Sequence, residues 1–139
     1  MLQRIAFTAS PSDVAQEGLA ALVKRYGQCE FNKAEVIVAL GGDGFMLQTL
    51  HATNEFKAPV YGMNRGTVGF LMNLYQEDGL MGRLKEAEET RIHPLSMTVT
   101  CNDGTTLMAL AINEVSLLRA GPQAAKLRIS VDGLSLIHI

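Results

Sequence analysis

The chain has 139 residues, which is room for one ordinary domain or for one small domain and part of another. Its composition, with 47% hydrophobic and 19% charged residues and a net charge of −2, is typical of a folded globular chain and argues against disorder. The sequence shows no lysine and arginine cluster for nucleic acid, no apolar run near the roughly 18 residues of a membrane span, and no signal-peptide pattern. We therefore expect a cytoplasmic protein with neither a nucleic-acid nor a membrane partner.

The cysteines and histidines are scattered along the chain. Cys29 and Cys101 are lone thiols in unrelated contexts, which favours a reducing compartment over a disulfide framework. The histidines at positions 51, 93 and 138 do not have the spacing of a zinc ligand set, so the sequence predicts no protein-held metal centre.

Short apolar runs alternate with helical patterns from the N-terminus onward. Leu2 to Ala9 predicts a strand, Ser10 is expected to cap the next helix, and Pro11 fits the first helical position. Apolar residues then recur at helical spacing until Gly27, which is expected to end the helix; they are Ala15, Leu19, Leu22, Val23 and Tyr26.

The stretch from Val36 to Gly44 is the most informative part of the sequence. Five apolar residues precede the turn Gly41-Gly42-Asp43-Gly44, which predicts a strand buried on both faces. A helix from Phe45 to about Thr53 would direct its free N–H groups at the turn, and glycines would let a ligand approach the backbone. Such a corner suits a phosphate. An aspartate beside a phosphate then implies metal binding or acceptance of a proton from an attacking hydroxyl.

An ordinary turn is the alternative interpretation of this cluster. Aspartates in turns often accept a hydrogen bond from their own backbone. The strand before Asp43 and the helix after it favour a functional site, because ligands of open α/β sheets bind beyond the carboxyl ends of the strands.

The loop after the next predicted strand, Pro59 to Met63, carries two glycines three residues apart, Gly66 and Gly69. This spacing suggests another approach of the backbone to a ligand, although the signal is weak on its own. Arg65 could meet a phosphate or face water, and the pattern favours water. Phe70 could line a pocket or belong to the core, and the pattern favours the core.

Composition changes near residue 90. Glu77 and Asp78 are expected to open a third helix, and we place a domain boundary near His93-Pro94. Beyond it, alternating residues around the turn Asn102-Asp103-Gly104 predict an antiparallel hairpin. The expected fold is therefore α/β: a parallel-sheet domain over residues 1–93, followed by the start of a mostly antiparallel β-domain over residues 94–139.

Asn113 and Glu114 interrupt an apolar segment that we expect to be a strand. Buried polar groups need partners. They either form hydrogen bonds with the local backbone or hold a polar ligand, and periodicity alone does not separate these two alternatives.

Taken together, three motifs resemble those of the NAD kinase family. They are the Gly41-Gly42-Asp43-Gly44 turn, the loop from Asn64 to Leu71 with its two glycines, and Asn113-Glu114. The resemblance covers residues 1 to about 133. It implies an N-terminal α/β domain, a C-terminal β-rich domain and an active site in the cleft between them.

The resemblance also implies roles for individual residues. Asp43 is the expected proton acceptor, facing the 2′-hydroxyl of the adenosine ribose of NAD, and Gly44 contacts the dinucleotide. Phe70 lies beside the substrate, and Asn113 and Glu114 bind its ribose and base groups. The implied phosphoryl donor is ATP, or polyphosphate in some members, with a divalent cation such as Mg²⁺. The family is commonly oligomeric, which predicts a homo-oligomer for the full-length protein.

The sequence departs from the family pattern at its C-terminal end. The Thr-rich segment that completes the NAD site in the family is absent, and we interpret residues 134–139 as non-native sequence. This makes a truncated, inactive chain an expectation. The alternative functions are a non-catalytic nucleotide-binding fragment and a lipid kinase of the diacylglycerol or sphingosine type, which shares the Gly-Gly-Asp-Gly turn.

Overall fold

The computed structural model describes residues 3–67 and 69–136. The chain divides into two compact units, Met1–Arg91 and Ile92–Ile139, which are described separately below. The predictions that fall on Leu2, Val68, His138 and the last residues of the 134–139 segment lie outside the described residues.

The first unit is built on a three-stranded parallel sheet. Its strands are β1 (Ile5–Ala9), β2 (Val36–Gly41) and β3 (Val60–Asn64), with β2 in the middle. Every residue of β2 is buried, as expected for the central strand of a covered sheet. The predicted order of strands and helices and the parallel pairing are therefore confirmed.

Three α-helices accompany the sheet: α1 (Asp13–Tyr26), α2 (Asp43–Ala52) and α3 (Leu80–Glu86). A short 3₁₀ helix, Phe31–Lys33, precedes β2. The core combines α1, α3 and the sheet, and its buried side chains include Phe7, Leu22, Val38, Leu40, Met63 and Leu80.

The start of α1 differs from the prediction that Ser10 caps it with Pro11 in its first position. Ser12 is the N-cap instead, because its backbone is extended and its hydroxyl accepts the N–H of Ala15 at 3.4 Å. Ser10 belongs to the sheet edge, where its N–H donates to the Leu40 carbonyl at 2.9 Å. A pattern with two serines two residues apart does not reveal which of them caps the helix.

The start of α3 also differs from the prediction. Glu77 and Asp78 precede the helix, which begins at Leu80 after Gly79 in a left-handed conformation (φ 67°). Glu77 and Asp78 do not form the first turn of the helix but contact residues of α1. The Glu77 carbonyl accepts the Tyr26 hydroxyl at 2.5 Å, and Asp78 forms an ion pair with Arg25 at 2.5 Å.

The second unit consists of two antiparallel hairpins. β4 (Leu95–Thr100) pairs with β5 (Thr106–Ala111), and β6 (Ile129–Val131) pairs with β7 (Leu134–Leu136). The predicted hairpin and its turn are confirmed, with Gly104 in the left-handed region (φ 86°). The segment that we interpret as non-native begins with β7, which takes a regular register on β6.

Within the described residues, no helix combines the length and the apolar character needed to cross a membrane.

Leu22 tests the packing of α1 on the sheet. Its side chain is completely buried, so Leu22→Ala leaves a cavity and should lower the free energy of unfolding by about 2–5 kcal/mol. Urea denaturation of the wild type and the variant measures the difference. The matched control is Glu17→Ala on the exposed face of α1, which should change stability by less than about 0.5 kcal/mol. Equal losses in both variants would contradict the described packing.

Candidate active site

The carboxyl ends of all three parallel strands meet at one edge of the first unit. The Arg65 N–H, just beyond β3, donates to the Gly41 carbonyl at the end of β2, at 2.8 Å. Gly66 lies against the same turn, because a Cβ built on it would be 3.7 Å from the Gly42 nitrogen. The turn after β2 and the loop after β3 thus form one surface, where open α/β sheets bind ligands.

Asp43 is the first residue of α2 and lies at this edge. Its carboxylate accepts two backbone hydrogen bonds from the loop after β3. The Phe70 N–H donates to Oδ2 at 2.8 Å, and the Leu71 N–H donates to Oδ1 at 2.9 Å. The two bonds fix the orientation of the carboxylate.

These bonds leave the Asp43 carboxylate able to act further. A carboxylate offers about four acceptor positions, two on each oxygen, and the loop uses one on each. The side chain remains partly accessible to solvent. A hydroxyl that approaches from the open side can therefore still donate to it, as a general base requires.

Gly69 makes the contact between Asp43 and the loop possible. A Cβ built on Gly69 would lie 2.4 Å from the Asp43 Cγ, closer than any real contact. In the described structure Gly69 approaches the Asp43 carboxylate and Gly66 approaches the Gly42 turn, so the close approach signalled by the two loop glycines is made at least partly to the protein itself. The expectation that their backbone also approaches a ligand stays a prediction.

Gly42 and Gly44 differ from Gly69 because neither the backbone conformation nor the packing of the described residues requires a glycine there. The Gly42 backbone is extended (φ −111°, ψ −175°), which any residue adopts, and a Cβ on either glycine would meet none of the described residues within 4 Å. Gly44 lies inside α2, where glycine costs about 0.5–1 kcal/mol relative to alanine. Open space flanks Asp43 on both sides in sequence, and it is suited to a bound molecule.

Phe70 is completely exposed, so its predicted place in the core is wrong. The Phe70 N–H donates to Asp43, and the ring projects into solvent. An apolar residue in the sequence does not reveal this loop geometry, which is why the prediction failed. The expectation that it lies beside a substrate stays a prediction.

Asn113 and Glu114 belong to the second unit and do not interrupt a strand. β5 ends at Ala111, and both residues are exposed in the irregular segment that follows. The premise that these polar groups are buried is therefore wrong, because no strand continues through them. Their role in ligand binding stays a prediction.

The sequence pattern favours an Arg65 side chain that faces water, but in the structure this side chain is packed against other residues. Its guanidinium carbon lies 3.5 Å from the centroid of the Tyr75 ring, and its Nε is buried without a hydrogen-bond partner. Gly18 on α1 makes room for both side chains, because a Cβ there would be 3.0 Å from Arg65 Nε and from Tyr75 Cε2. Burial, together with the hydrogen bond to Glu77, raises the pKa of Tyr75.

The described residues contain no group of three His, Cys, Asp or Glu side chains that could hold a metal ion. Sequence reasoning missed the roles of Leu71, Tyr75 and Gly18, because each depends on a contact between segments far apart in the chain. Only the glycine spacing in the loop signalled a close approach.

The Gly69 contact can be tested by stability. Gly69→Ala places a methyl group against the Asp43 carboxylate and should lower the free energy of unfolding by about 1–3 kcal/mol. Thermal or urea denaturation measures it. Gly82→Ala is the matched control: a Cβ on that α3 glycine meets nothing, so the variant should be as stable as the wild type or more so. An unaffected Gly69→Ala protein would mean that the loop does not contact Asp43.

Comparison with known proteins agrees with this geometry. A family model described as the ATP-NAD kinase N-terminal domain matches residues 3–92, which include the whole parallel sheet, Asp43 and the loop.

Individual relatives extend the match beyond the first unit. The NAD kinase of Cereibacter sphaeroides is 67% identical over 131 residues, which cover 94% of this chain and 52% of the relative. The NAD kinase of Caulobacter vibrioides is 56% identical over 130 residues (94% and 50%), and that of Xanthomonas campestris is 49% identical over 138 residues (98% and 54%). The chain spans about half the length of these curated relatives. It belongs to the NAD kinase family, and its first unit is the family's N-terminal domain.

Proposed function

We propose that this chain supplies the Asp43-bearing half of an NAD kinase, which transfers a phosphoryl group from ATP to the 2′-hydroxyl of the adenosine ribose of NAD and yields NADP. Family membership supports the reaction. The observation that carries the chemistry is the Asp43 carboxylate, oriented by two amides at the start of α2 and open on its remaining side. The lipid-kinase alternative has no comparable support.

Asp43 is the proposed general base. As the ribose oxygen forms its bond to the γ-phosphorus, the bond from phosphorus to the bridging oxygen breaks and ADP leaves with that electron pair. The hydroxyl proton passes to the Asp43 carboxylate. A secondary alcohol is a poor nucleophile until this proton is drawn off, and such help is typically worth about 10²–10⁴-fold in rate. The remaining demand on the protein is positioning and charge stabilisation.

The glycines beside Asp43 support a substrate at this position. Neither Gly42 nor Gly44 is required by the backbone or by packing, so their value lies in the space they leave. That space adjoins the first turn of α2, whose free N–H groups and positive dipole end favour phosphate oxygens. We assign Gly44 to contact with the dinucleotide.

Three further residues complete the proposed NAD site. Phe70 projects from the loop that holds Asp43 and offers an exposed aromatic face to the substrate. Asn113 and Glu114 are exposed polar groups, which can bind the ribose and base of NAD. Their assignment rests on the family motif.

The proposed donor is ATP, with polyphosphate as the alternative noted for some members. A divalent cation such as Mg²⁺ would be held mainly by the donor's phosphate oxygens, because the described residues offer no ligand cluster of their own. We extend the proposal to a cytoplasmic, homo-oligomeric full-length enzyme, as the family resemblance implies.

The test of Asp43 uses a chimera in which this chain's matching segment replaces that of the Cereibacter sphaeroides relative, so that the C-terminal half is present. The chimera should convert NAD to NADP with ATP, and Asp43→Asn should lower kcat by at least about 10²-fold. The asparagine still accepts one loop amide but cannot take the ribose proton. A coupled assay for NADP measures turnover, and a thermal melt confirms folding.

Lys33→Gln serves as the control, because Lys33 is exposed and pairs only with Glu30 in the described part of the chain. It should keep the turnover of the parent chimera. A parent chimera that folds but makes no NADP would refute the proposed function. Near-normal turnover in Asp43→Asn would remove Asp43 from the mechanism.

Glu114 tests the acceptor side. In the same chimera, Glu114→Ala should weaken NAD binding by at least about tenfold, since hydrogen bonds to a charged group are typically worth about 1.5–3 kcal/mol. Calorimetric titration with NAD measures the dissociation constant. The matched control is Glu89→Ala, an exposed glutamate outside the motif, which should leave it unchanged. An unaltered dissociation constant in Glu114→Ala would exclude Glu114 from the site.

A further inference from the structure

Residues 64–67 and 69–73 belong to a loop that leaves the sheet at the end of β3 and returns to it. At its base the Asn64 N–H donates to the Asn73 carbonyl at 2.7 Å, and the Asn73 N–H donates to the Gly62 carbonyl at 2.8 Å. Asn73 also pairs with Met63 in a parallel bridge beside β3. The outgoing limb therefore begins at Asn64, the return limb ends at Asn73, and the base is fixed to the sheet.

The return limb carries the two amides that orient Asp43, those of Phe70 and Leu71. It passes directly over β3. A Cβ on Gly62 would lie 3.2 Å from the Leu71 carbonyl oxygen and 2.5 Å from Met72 Sδ, so no larger residue fits under the limb. The position of both amides thus depends on how the limbs of the loop are held near the base.

Arg65 connects the outgoing limb to Tyr75, which lies just beyond the return limb. The Arg65 guanidinium carbon is 3.5 Å from the centroid of the Tyr75 ring. The Arg65 N–H donates to the carbonyl of Gly41, two residues before Asp43, at 2.8 Å. One residue therefore contacts the end of β2 through its backbone and the return side of the loop through its side chain.

Helix α1 packs against this stack. Gly18 is buried on α1, and a Cβ there would be 3.0 Å from both Arg65 Nε and Tyr75 Cε2. The Tyr75 hydroxyl lies 3.5 Å from the Gly18 carbonyl and 2.9 Å from Glu77 Oε1. The stack is enclosed between the loop and a helix of the core, which restricts its movement.

The guanidinium contributes its flat face rather than an ion pair. The ion pairs among the described residues join other cations, and Arg65 Nε is buried without a hydrogen-bond partner. A planar guanidinium can lie flat on an aromatic ring, which an ammonium group cannot do. A cation–π contact of this kind can change the population of an ordered loop by about 2- to 30-fold.

We infer that Arg65 and Tyr75 are positioning residues for phosphoryl transfer: their stack holds the loop so that the Phe70 and Leu71 amides orient the Asp43 carboxylate. The inference rests on the proposed function and adds two residues that act through the proposed base. Neither side chain touches a reacting atom. Misplacement of a reacting group by about 1 Å can cost about 10²-fold in rate, so a contact remote from the carboxylate can affect turnover.

Amide hydrogen exchange on the 139-residue chain, followed by NMR, tests the connection without any turnover. Arg65→Met keeps a long unbranched side chain but removes the planar cation. It should speed exchange of the Phe70 and Leu71 amides by at least about threefold. The Ile37 amide of β2, which donates to the Pro59 carbonyl, should exchange as in the wild type and so report an intact sheet. Unchanged exchange at both loop amides would overturn the inference.

The chimera that carries the C-terminal half of the Cereibacter sphaeroides relative supplies the functional readout. Arg65→Met should lower kcat by at least about threefold and leave the KM for ATP unchanged, because the lost contact acts on the base. In the Asp43→Asn background the same substitution should change kcat by less than about twofold, since no base remains to be positioned. A purely structural defect would lower kcat by the same factor in both backgrounds.

Conservative variants and a matched arginine separate the stack from other effects. Tyr75→Phe keeps the ring and should retain the kcat of the parent chimera, whereas Tyr75→Leu removes the ring and should match Arg65→Met. Arg25 also lies over a tyrosine, 5.6 Å from the Tyr26 centroid, but its other described contact is the ion pair with Asp78. Arg25→Met should therefore retain the parent kcat. If Arg65→Met fails to fold, the two Tyr75 variants decide the result.

Three kinetic outcomes would also overturn the inference. An equal loss of kcat from Arg65→Met with and without the Asp43 carboxylate would make the stack purely structural. A raised KM for ATP at unchanged kcat would make Arg65 a substrate contact. Full turnover in Tyr75→Leu would exclude the ring. A parent chimera that folds but makes no NADP would refute the proposed function instead, and amide exchange would still decide whether the stack holds the loop.

Discussion

The pair of hydrogen bonds from the Phe70 and Leu71 amides to the Asp43 carboxylate is the contact on which the site depends. It joins the first turn of α2 to the loop after β3, and so links two segments that the parallel sheet brings to one edge. Gly69 permits it, because any larger residue would meet the carboxylate. A base that must accept a proton from a sugar alcohol gains from such fixed orientation, since misplacement of a reacting group lowers the rate steeply.

Two kinds of glycine lie around the proposed site, and the difference between them is central to the functional interpretation. Gly18, Gly41 and Gly69 are required because other parts of the same chain lie where a Cβ would be. Gly42 and Gly44 leave space that no described residue fills. The first group builds the site and the second keeps it open. The amino-acid sequence alone does not distinguish these two kinds of glycine, because both occur in the same glycine-rich motifs.

The sequence was sufficient for the sheet and for the position of Asp43. Continuous apolar runs predict buried parallel strands, and the turn after the second run fixes where the carboxylate lies. Helix starts were less certain, because Ser10 and Ser12 have the same chemistry and the sheet edge decides which of them is free to cap. Phe70 and Arg65 were misplaced for a related reason. Their surroundings come from residues outside their own sequence neighbourhood, such as Asp43, Gly18 and Tyr75, which no local pattern records.

The pairing pattern of the sheet has a kinetic consequence. β1 joins β2 through pairs such as Ile5 with Val36, and β2 joins β3 through pairs such as Ile37 with Val60. Each pairing closes a long stretch of chain before it gains any stabilising contact, which makes parallel sheets slow to fold. Asp43 and the amides that hold it come together only after β3 has docked on β2. A chain in which β3 has not paired with β2 would therefore lack the oriented carboxylate, even where α2 has formed.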